Sequence, residues 1–537
     1  MDIGQLNHCK KLFSKSPLFL LILSILVFAF TRLHHLTILP IFNDEAFYLH
    51  WAQIIHNDPS ALWLPAVDGK TPLFYWVTAL VIGFFNNPLV SGRLVSVSSG
   101  FITLLLLYRI GKALSYPLAG AISSSVYALL PFAFINDRLA SVDSFHTMLV
   151  IFVLHASILF SKKRLGIKSP IYLGLALSAA FLAKTPTLLF FPFPIMTGLF
   201  LKNERINKEI MGKISISYFM LASTIALYLT RDVQMIGADG SKIFHRGRFF
   251  LSARQFISFP VHAWLDNLSD LASYIKFYYS LPLLALLIFV AGFAFVKKNR
   301  DILLLLSWSL LPLILLILIT KETFSRYYLA PLTLSIPALG YGAVEILKNV
   351  ENSDKKLRFS ISLVVITLIL FFSIQSTAFV VDFLRNPSTT PLVKRDRWQY
   401  IEGYPSGYGL KEIIEYLNKR AEGNKRIVVF TTMNWGNPAD AVKIYFSKSK
   451  NVLVLECWWW ELVPVMASES KLPIINDKFR RQIIREISVS DFNEFYFVTG
   501  SHPFSKDKFA KLNPEADLVM ETEKPGGISW FLLYRLK

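Results

Sequence analysis

Eleven long apolar runs limit what this chain can fold into. A helix needs about 20 apolar residues to cross the hydrocarbon core of a bilayer. The runs lie at 17–36, 89–111, 117–135, 143–160, 170–183, 186–201, 213–230, 281–296, 302–320, 326–347 and 359–381. With 53% hydrophobic residues and a mean hydropathy of +0.45, the chain also exceeds the apolar share of soluble domains. The sequence therefore predicts a multi-pass α-helical membrane protein with about 11 transmembrane helices.

Basic residues between alternate runs indicate the orientation. Groups of Lys and Arg lie at 10–15, 109–112, 162–168, 202–213, 297–300 and 348–358. Because short cytoplasmic loops are enriched in these residues, we predict a cytoplasmic amino terminus, an extracytoplasmic segment after residue 381, and insertion in the plasma (inner) membrane. A cleaved signal peptide in residues 1–36 is the alternative, but no clear small-residue cleavage site follows. Cys9 and Cys457 would then lie on opposite sides of the membrane and could not form a disulfide.

Three external segments interrupt the membrane pattern, at 38–88, 231–280 and 382–537. The sequence predicts a transmembrane domain over 1–381, with the first two segments as its external loops. Residues 382–537 form a separate extracytoplasmic α/β domain in this prediction, because β-rich runs such as "RIVVFTT", "NVLVLE" and "EFYFVTG" alternate there with helical stretches. The final run, "DLVMETEKPGGISWFLLYRL", is typical of a hairpin with a Pro-Gly-Gly turn.

The formal net charge of +19 does not indicate a nucleic-acid partner. Recognition of nucleic acid needs a basic face on a soluble domain, whereas these charges lie in membrane loops. The external loop 231–280 is itself basic and aromatic, which favours a lid over an anionic lipid carrier or adhesion to lipid headgroups, with a merely solvated loop as the alternative. Trp458-Trp459-Trp460 could stack on a sugar, lie at the membrane surface, or pack in a core.

Polar and charged side chains gather at the predicted external ends of the apolar runs. They are Asp44, Glu45, Asp68, Lys70, Arg93, Arg138, Asp143, Lys184, Arg326 and Tyr327. Carboxylates and fixed cations at a lipid boundary suit transfer from a lipid-linked phosphate, because cations stabilise the departing phosphate and a carboxylate accepts the proton of the attacking group. No Asp-x-Asp triplet for metal binding occurs, so no cofactor is predicted, with a divalent metal left open.

These residues lie in motifs that resemble a known family. The segments "NDEAFYLHWA", "DGKTPLFYWVTAL", "GRLVSVSSG", "DRLASVDSF", "LGLALSAAFLAKTPTLLFFP" and "SRYYLAPLTLSIPAL" follow one another through about residue 347. Together they resemble glycosyltransferase family 39, which includes protein O-mannosyltransferases and the lipid A aminoarabinose transferase. The resemblance implies the membrane-integral C-type glycosyltransferase fold and a polyprenyl-phosphate-sugar donor.

The resemblance also implies roles for individual residues. Asp44 matches the family's first-loop acidic position and would be the general base, although Asp is also a common helix N-cap. Glu45 beside it is a second catalytic candidate. Alternatively, its negative charge favours the start of a helix through the helix dipole. Lys70 lies where the family has a phosphate-contacting Lys, although Thr71 stands where Pro is usual; interfacial lysines also extend to lipid headgroups.

The remaining candidates would bind the donor. Asp143 lies at the place of a functional aspartate of the family, and it also suits a helix cap. Arg93 matches a family position but could only anchor its helix at headgroup depth. Arg138, Lys184 and Arg326 could each bind a phosphate. For Lys184 and Arg326 the alternative is a structural ion pair with Glu322 or Asp68. Asp68 and Tyr327 complete the predicted substrate-binding set.

The leading interpretation is transfer of a sugar, with inversion, from a polyprenyl phosphate to an acceptor on the extracytoplasmic face. The acceptor, whether protein, lipid or glycan, is not readable from the sequence. One alternative is a polysaccharide ligase or polymerase, which typically has a large loop between late helices and lacks the first-loop acidic motif. A transporter or flippase of lipid-linked sugars is another, but internal repeats and mid-membrane polar residues are not seen.

Overall fold

The chain folds into two compact units. The computed structural model describes residues 3–162, 166–202, 208–234, 249–351, 354–423, 425–433, 435–457, 471–475, 483–502 and 504–536. The first unit comprises Met1–Leu36, Leu62–Phe74 and Arg93–Arg385, and the second comprises Thr37–Ala61, Tyr75–Gly92 and Asn386–Lys537. Two segments of the predicted loop 38–88 thus belong to the same compact unit as the carboxyl-terminal part of the chain. The predicted division at residue 381 stays a prediction.

The first unit is helical. Its helices are α1 (Ile3–Leu33), α4 (Pro88–Ala113), which begins in the second unit, α5 (Pro117–Leu129), α6 (Pro131–Asp137), α7 (Val142–Ser161), α8 (Ser169–Ala183), α9 (Phe193–Lys202), α10 (Lys208–Gln234), α11 (Ala253–Ile257), α12 (Val261–Tyr274), α13 (Leu281–Lys297), α14 (Arg300–Ile319), α15 (Leu329–Leu334), α16 (Ile336–Glu351) and α17 (Lys355–Arg385). Helix α8 packs against both α7 and α10, and α5 packs against α1 and α16.

Several of these helices are long and apolar enough to cross a membrane. Among the described residues there are six, or up to eight if each of two bent helix pairs is one span. The apolar window of α7 is 89% buried inside the protein, whereas that of α17 is 11% buried. An apolar helix with so little burial has a surface suited to lipid. The chain is a membrane-integral, mostly helical protein.

The predicted number of 11 spans is not confirmed. Six predicted spans coincide with the long helices, and those at 117–135 and 281–296 fall on the bent pairs, which turn by 65° and 107°. The other three fall on apolar helices of 10–17 residues: Pro17–Leu33, Ser169–Ala183 and Thr185–Leu201. Prolines explain part of this, since Pro131 follows Leu130 at the bend between α5 and α6 and lacks the N–H that a continuous helix needs.

The second unit combines helices with a sheet. Its helices are α2 (Asn43–Asn57), α3 (Leu73–Val81), which begins in the first unit, α18 (Lys394–Arg397), α19 (Leu410–Arg420), α20 (Ala439–Phe446) and α21 (Lys506–Leu512). Its strands are β1 (Ile427–Thr431), β2 (Val452–Glu456), β3 (Lys471–Ile475), β4 (Ile483–Ser488), β5 (Glu494–Gly500), β6 (Asp517–Glu523) and β7 (Trp530–Arg535). The three quoted β-rich runs contain β1, β2 and β5.

Five strands form one mixed sheet in the order β2-β1-β5-β7-β6. Strand β1 runs parallel to both β2 and β5, and β7 runs antiparallel to β5 and β6. Every residue of β1 and β5 is buried, as expected for central strands covered on both faces. One side of the sheet packs on a core that includes Val428, Phe497, Phe509 and Leu532.

Parts of two predicted external elements lie outside the described residues. In the loop 231–280, Lys242, Phe244, Arg246 and Arg248 do so, as does the Trp458-Trp459-Trp460 run. The described part of the loop contains α11 and α12. Phe259, Val261, Leu265 and Leu268 there expose 49–73% of their surface, which is compatible with the predicted adhesion to lipid headgroups.

Candidate active site

An ion pair joins the start of α7 to the end of α8. Ser141 is extended (φ −126°, ψ 157°) and α7 begins after it, so Asp143 lies in the first helical turn, where a carboxylate is favoured by the helix dipole. Lys184 Nζ donates to Asp143 Oδ1 at 2.6 Å. The Asp143 side chain is 3% exposed and that of Lys184 is 21% exposed. The lysine thus offers part of its surface to solvent or to a ligand.

The local sequence explains why Lys184 points away from its helix. Helix α8 ends at Ala183, and Lys184 adopts an extended conformation (φ −160°, ψ 131°) as the N-cap of the 3₁₀ turn Thr185–Phe190, which has Pro186 in its first two positions. The Thr187 hydroxyl donates to the Lys184 carbonyl at 2.8 Å. His146 Nε2 lies 3.0 Å from the same hydroxyl. The turn that carries Lys184 is therefore fixed to α7 by a buried hydrogen bond.

Two further predicted residues lie beside this pair. Lys184 Nζ is 4.9 Å from the centre of the Tyr327 ring. The Arg326 guanidinium carbon is 6.0 Å from the same ring and 4.9 Å from that of Phe324. The structure thus brings Asp143, Lys184, Arg326 and Tyr327 together in the first unit, although 183 positions separate the first and third of them (326 − 143).

Asp68 and Lys70 form a second ion pair in the same unit. The Lys70 ammonium donates to Asp68 Oδ2, and both side chains are partly exposed. The turn is closed by Gly69 in the left-handed conformation (φ 65°), and the Lys70 N–H donates to the Pro65 carbonyl at 3.0 Å. Phe74, which follows shortly, packs its ring 5.9 Å from that of Phe145 on α7.

The Arg138 guanidinium lies at the carboxyl-terminal end of α1. It donates to four backbone carbonyls there, those of Thr31, Arg32, His34 and His35, at 2.5–2.9 Å. The residue is 3% exposed. Carbonyls at a helix carboxyl terminus attract cations, so these contacts make Arg138 a cap of α1. Its predicted role in phosphate binding stays a prediction.

Arg93 also contacts this region. Its Nη1 donates to the Leu36 carbonyl at 2.8 Å, and the residue is fully buried.

Sequence reasoning missed a neighbouring pair, Arg32 and Asp137, whose side chains are 3.5 Å apart and fully buried. Asp137 additionally accepts from the Ser144 hydroxyl at 2.8 Å. The sequence signal for this pair was that Asp137 directly precedes the candidate residue Arg138 in "NDRLAS".

Asp44 and Glu45 lie in the second unit, in the first turn of α2. Asp44 is partly exposed, whereas Glu45 is fully buried. Glu45 Oε2 accepts from the Phe42 N–H at 2.9 Å, which is the reciprocal contact of a capping box. Glu45 therefore stabilises the helix start, and its predicted catalytic role stays a prediction. The predicted convergence of Asp44 with the cations of the first unit stays a prediction.

The group around Lys184 has the chemistry of an anion site. It offers an ammonium, a guanidinium and a phenol, with a carboxylate that holds the ammonium in place; an ammonium has three N–H donors, so a bond to Asp143 leaves capacity for an oxyanion. Among the described residues, no group of three or more His, Cys, Asp or Glu side chains is placed to hold a metal ion.

Comparison with solved structures shows a similar fold. The fold is similar to that of ArnT from Cupriavidus metallidurans in the apo state, with a TM-score of 0.56 and 10% sequence identity over 97% of each chain. It is also similar to the same protein bound to undecaprenyl phosphate, with a TM-score of 0.53 and 11% identity over 97% of this chain and 98% of that one. No curated protein sequence matches the chain.

A family match agrees with this fold. Residues 69–230 match the sequence profile of the dolichyl-phosphate-mannose-protein mannosyltransferase family. This match and the similar fold confirm the resemblance that the motifs predicted. Lys70, Arg93, Arg138, Asp143 and Lys184 all lie within the matched stretch.

Proposed function

We propose that this protein transfers a sugar from a polyprenyl-phosphate donor to an acceptor hydroxyl or amine on the extracytoplasmic face of the plasma (inner) membrane. The observation that carries the proposal is the group formed by Lys184, Asp143, Arg326 and Tyr327. Two of its members lie within the stretch that matches a family named for dolichyl-phosphate-mannose donors. ArnT, whose fold is similar, has been solved with undecaprenyl phosphate, which supports the same class of lipid carrier.

The reaction is a single displacement at the anomeric carbon. The acceptor oxygen or nitrogen forms a bond to C1 of the sugar while the bond from C1 to the phosphate oxygen breaks, so the configuration inverts. The proton of the acceptor passes to the Asp44 carboxylate, and the polyprenyl phosphate leaves with an additional negative charge. Lys184 and Arg326 stabilise that charge, because cations placed where charge develops lower the barrier.

The topology of the proposal follows the charge pattern. The amino terminus is cytoplasmic, 11 segments cross or enter the membrane, and residues 382–537 form an extracytoplasmic α/β domain. A donor with its lipid tail in the bilayer presents its phosphate at the membrane surface, which is where the charge pattern predicts the candidate residues to lie. The sugar is a hexose or pentose, and the acceptor is a protein, lipid or glycan.

The test is cleavage of defined donors by the full chain. Membranes containing the protein are incubated with radiolabelled undecaprenyl-phosphate mannose, glucose, N-acetylglucosamine or aminoarabinose, and both released undecaprenyl phosphate and labelled product are measured. We expect one donor to be consumed, and Asp44→Asn to abolish transfer while donor binding remains. Should every donor remain intact with the folded wild-type protein, the proposed donor class would be wrong.

A matched pair of lysine variants tests the anion site. Lys184→Met should lower the transfer rate by about 10²- to 10³-fold, the usual loss for one group that stabilises developing charge. Lys213→Met is the control, since Lys213 also forms an ion pair, with Glu209 at 2.5 Å on α10, but lies on the predicted cytoplasmic side. Equal transfer rates of the two variants would contradict the proposed role of Lys184 in stabilising the departing phosphate.

A further inference from the structure

The residues just before Asp44 are bonded to the carboxyl-terminal part of the second unit. The Asn43 N–H donates to the Pro405 carbonyl at 2.9 Å. Asn437 contacts the same segment in two ways: its N–H donates to Asn43 Oδ1 at 2.8 Å, and its Nδ2 donates to the Ile41 carbonyl at 2.9 Å. Asn437 Nδ2 also donates to the Pro405 carbonyl at 2.9 Å. Asn437 therefore joins the residues that precede α2 to the backbone at Pro405.

The same segment is enclosed by two glycines that leave no room for a side chain. A Cβ added to Gly436 would lie 2.0 Å from Asn43 Oδ1, and one added to Gly407 would lie 2.1 Å from the Ile41 carbonyl oxygen. Gly436 also has a positive φ of 82°. Real Cβ atoms do not approach so closely, so any side chain at these positions must displace the entry to α2.

Further contacts fix α2 along its length. His50 Nδ1 lies 2.7 Å from Asp440 Oδ1 on α20. One turn later, Gln53 Nε2 donates to the Ile444 carbonyl at 3.2 Å. Asp440 is itself fixed, because its Oδ2 accepts from the Gly436 N–H at 2.5 Å. The contact between His50 and Asp440 is thus linked to the turn at Gly436 and Asn437 through the Gly436 N–H.

We propose that the turn of Gly436 and Asn437 is a positioning element that fixes the Asp44 carboxylate for catalysis. The inference rests on the proposed function, in which Asp44 is the general base. It assigns the carboxyl-terminal segment a part in the transfer step, beyond any part in choosing the acceptor. A general base must lie within hydrogen-bonding reach of the proton that it accepts, so the position of the first turn of α2 sets the rate.

A pair of glycine variants separates positioning from general stability. Gly436→Ala places a methyl group against Asn43, whereas Gly423→Ala meets nothing within 4 Å and has a similar φ of 67°. Both variants bear the strain of alanine in the left-handed region, but only the first displaces α2. We expect Gly436→Ala to lower kcat by about 10²-fold, the order of loss for a misplacement of about 1 Å, with KM for the donor changed less than about twofold. Gly423→Ala should keep the wild-type kcat.

A second pair avoids the backbone strain. Asn437→Asp keeps the shape of the side chain but replaces Nδ2, with its two N–H donors, by one oxygen that faces both the Ile41 and the Pro405 carbonyl. Asn451→Ala is its control, since Asn451 Nδ2 donates to the Ala421 carbonyl at 3.1 Å and does not contact α2. We expect Asn437→Asp to lower kcat and to shift the acid limb of the pH profile of kcat. An effect confined to thermal stability, with kcat per folded protein unchanged, would overturn the proposal.

The outcomes also distinguish this inference from the proposed function. All variants are measured in full-length protein, with the undecaprenyl-phosphate sugar that the wild-type protein consumes. If Asp44→Asn abolishes transfer but Gly436→Ala and Asn437→Asp transfer at the wild-type rate, the positioning element is refuted and the base assignment stands. If Asp44→Asn itself transfers normally, the base assignment fails, and with it the reason to position α2.

Discussion

At the scale of single residues, a buried cation in a membrane protein need not indicate an anionic ligand. Arg138 satisfies its guanidinium with four backbone carbonyls at the end of α1. Those carbonyls have no partners within their own helix, and they carry the negative end of the helix dipole. A sequence motif places the arginine at this boundary but does not distinguish a helix cap from a phosphate ligand.

Replacement of Arg138 tests which role dominates. Arg138→Ala should destabilise the protein by about 3 kcal/mol or more, because buried carbonyls lose a charged donor. The thermal midpoint in detergent, followed by tryptophan fluorescence, would report the loss. Arg109→Ala is the control, since Arg109 is an exposed arginine of α4. An Arg138→Ala protein with a normal midpoint but no donor binding would instead favour the phosphate role.

Glu45 can be tested in the same manner. Glu45→Gln keeps an oxygen that accepts from the Phe42 N–H, so transfer should fall less than about tenfold. Glu45→Ala removes that oxygen and should cost about 0.5–2 kcal/mol of stability, as for other helix caps. Rates per folded protein and thermal midpoints of both variants give the comparison. Complete loss of transfer in Glu45→Gln with normal stability would return Glu45 to the catalytic group.

At the scale of elements, the β6–β7 hairpin is joined to the 403–406 turn by a buried lysine. Lys524 Nζ donates to the carbonyls of Gly403, Tyr404 and Ser406 at 2.7–3.2 Å, and it lies 4.0 Å from the centre of the Phe531 ring. Burial lowers the pKa of Lys524 to about 7. The hairpin was predicted from its Pro-Gly-Gly turn, but the lysine beside that turn gave no signal of its own.

The lowered pKa gives a stability that depends on pH. A lysine in the unfolded chain has a pKa of about 10.4, so between pH 7 and 10 the unfolded state binds more protons than the folded one. The free energy of unfolding should therefore rise with pH over this range. Lys524→Met lacks this term, so the thermal midpoint of the wild-type protein should increase relative to that of Lys524→Met from pH 7 to pH 9. A difference that is constant with pH would contradict the lowered pKa.

At the scale of the whole molecule, local patterns predicted the elements, and distant contacts could not be predicted. The apolar runs located the helices, because length and hydropathy are read within one segment. The short β-rich runs after residue 425 located the central strands for the same reason. His50 and Asp440, by contrast, are 390 positions apart, and nothing near either residue indicates the other. The pairing of Lys184 with Asp143 was likewise absent from the sequence, although motifs singled out both residues.

The orientation of the whole chain is the remaining prediction, and the catalytic proposal depends on it. If basic loops face the cytoplasm, residue 390 should lie outside, together with Asp44 and the sheet of the second unit. An alkaline phosphatase fused after residue 390 should then be active, and a green fluorescent protein at the same position should be dark if it is exported unfolded. Fusions after Lys202, on the predicted cytoplasmic side, should give the opposite pair of signals. A fluorescent fusion at 390 would place the carboxyl-terminal segment in the cytoplasm, where an extracytoplasmic acceptor could not reach Asp44.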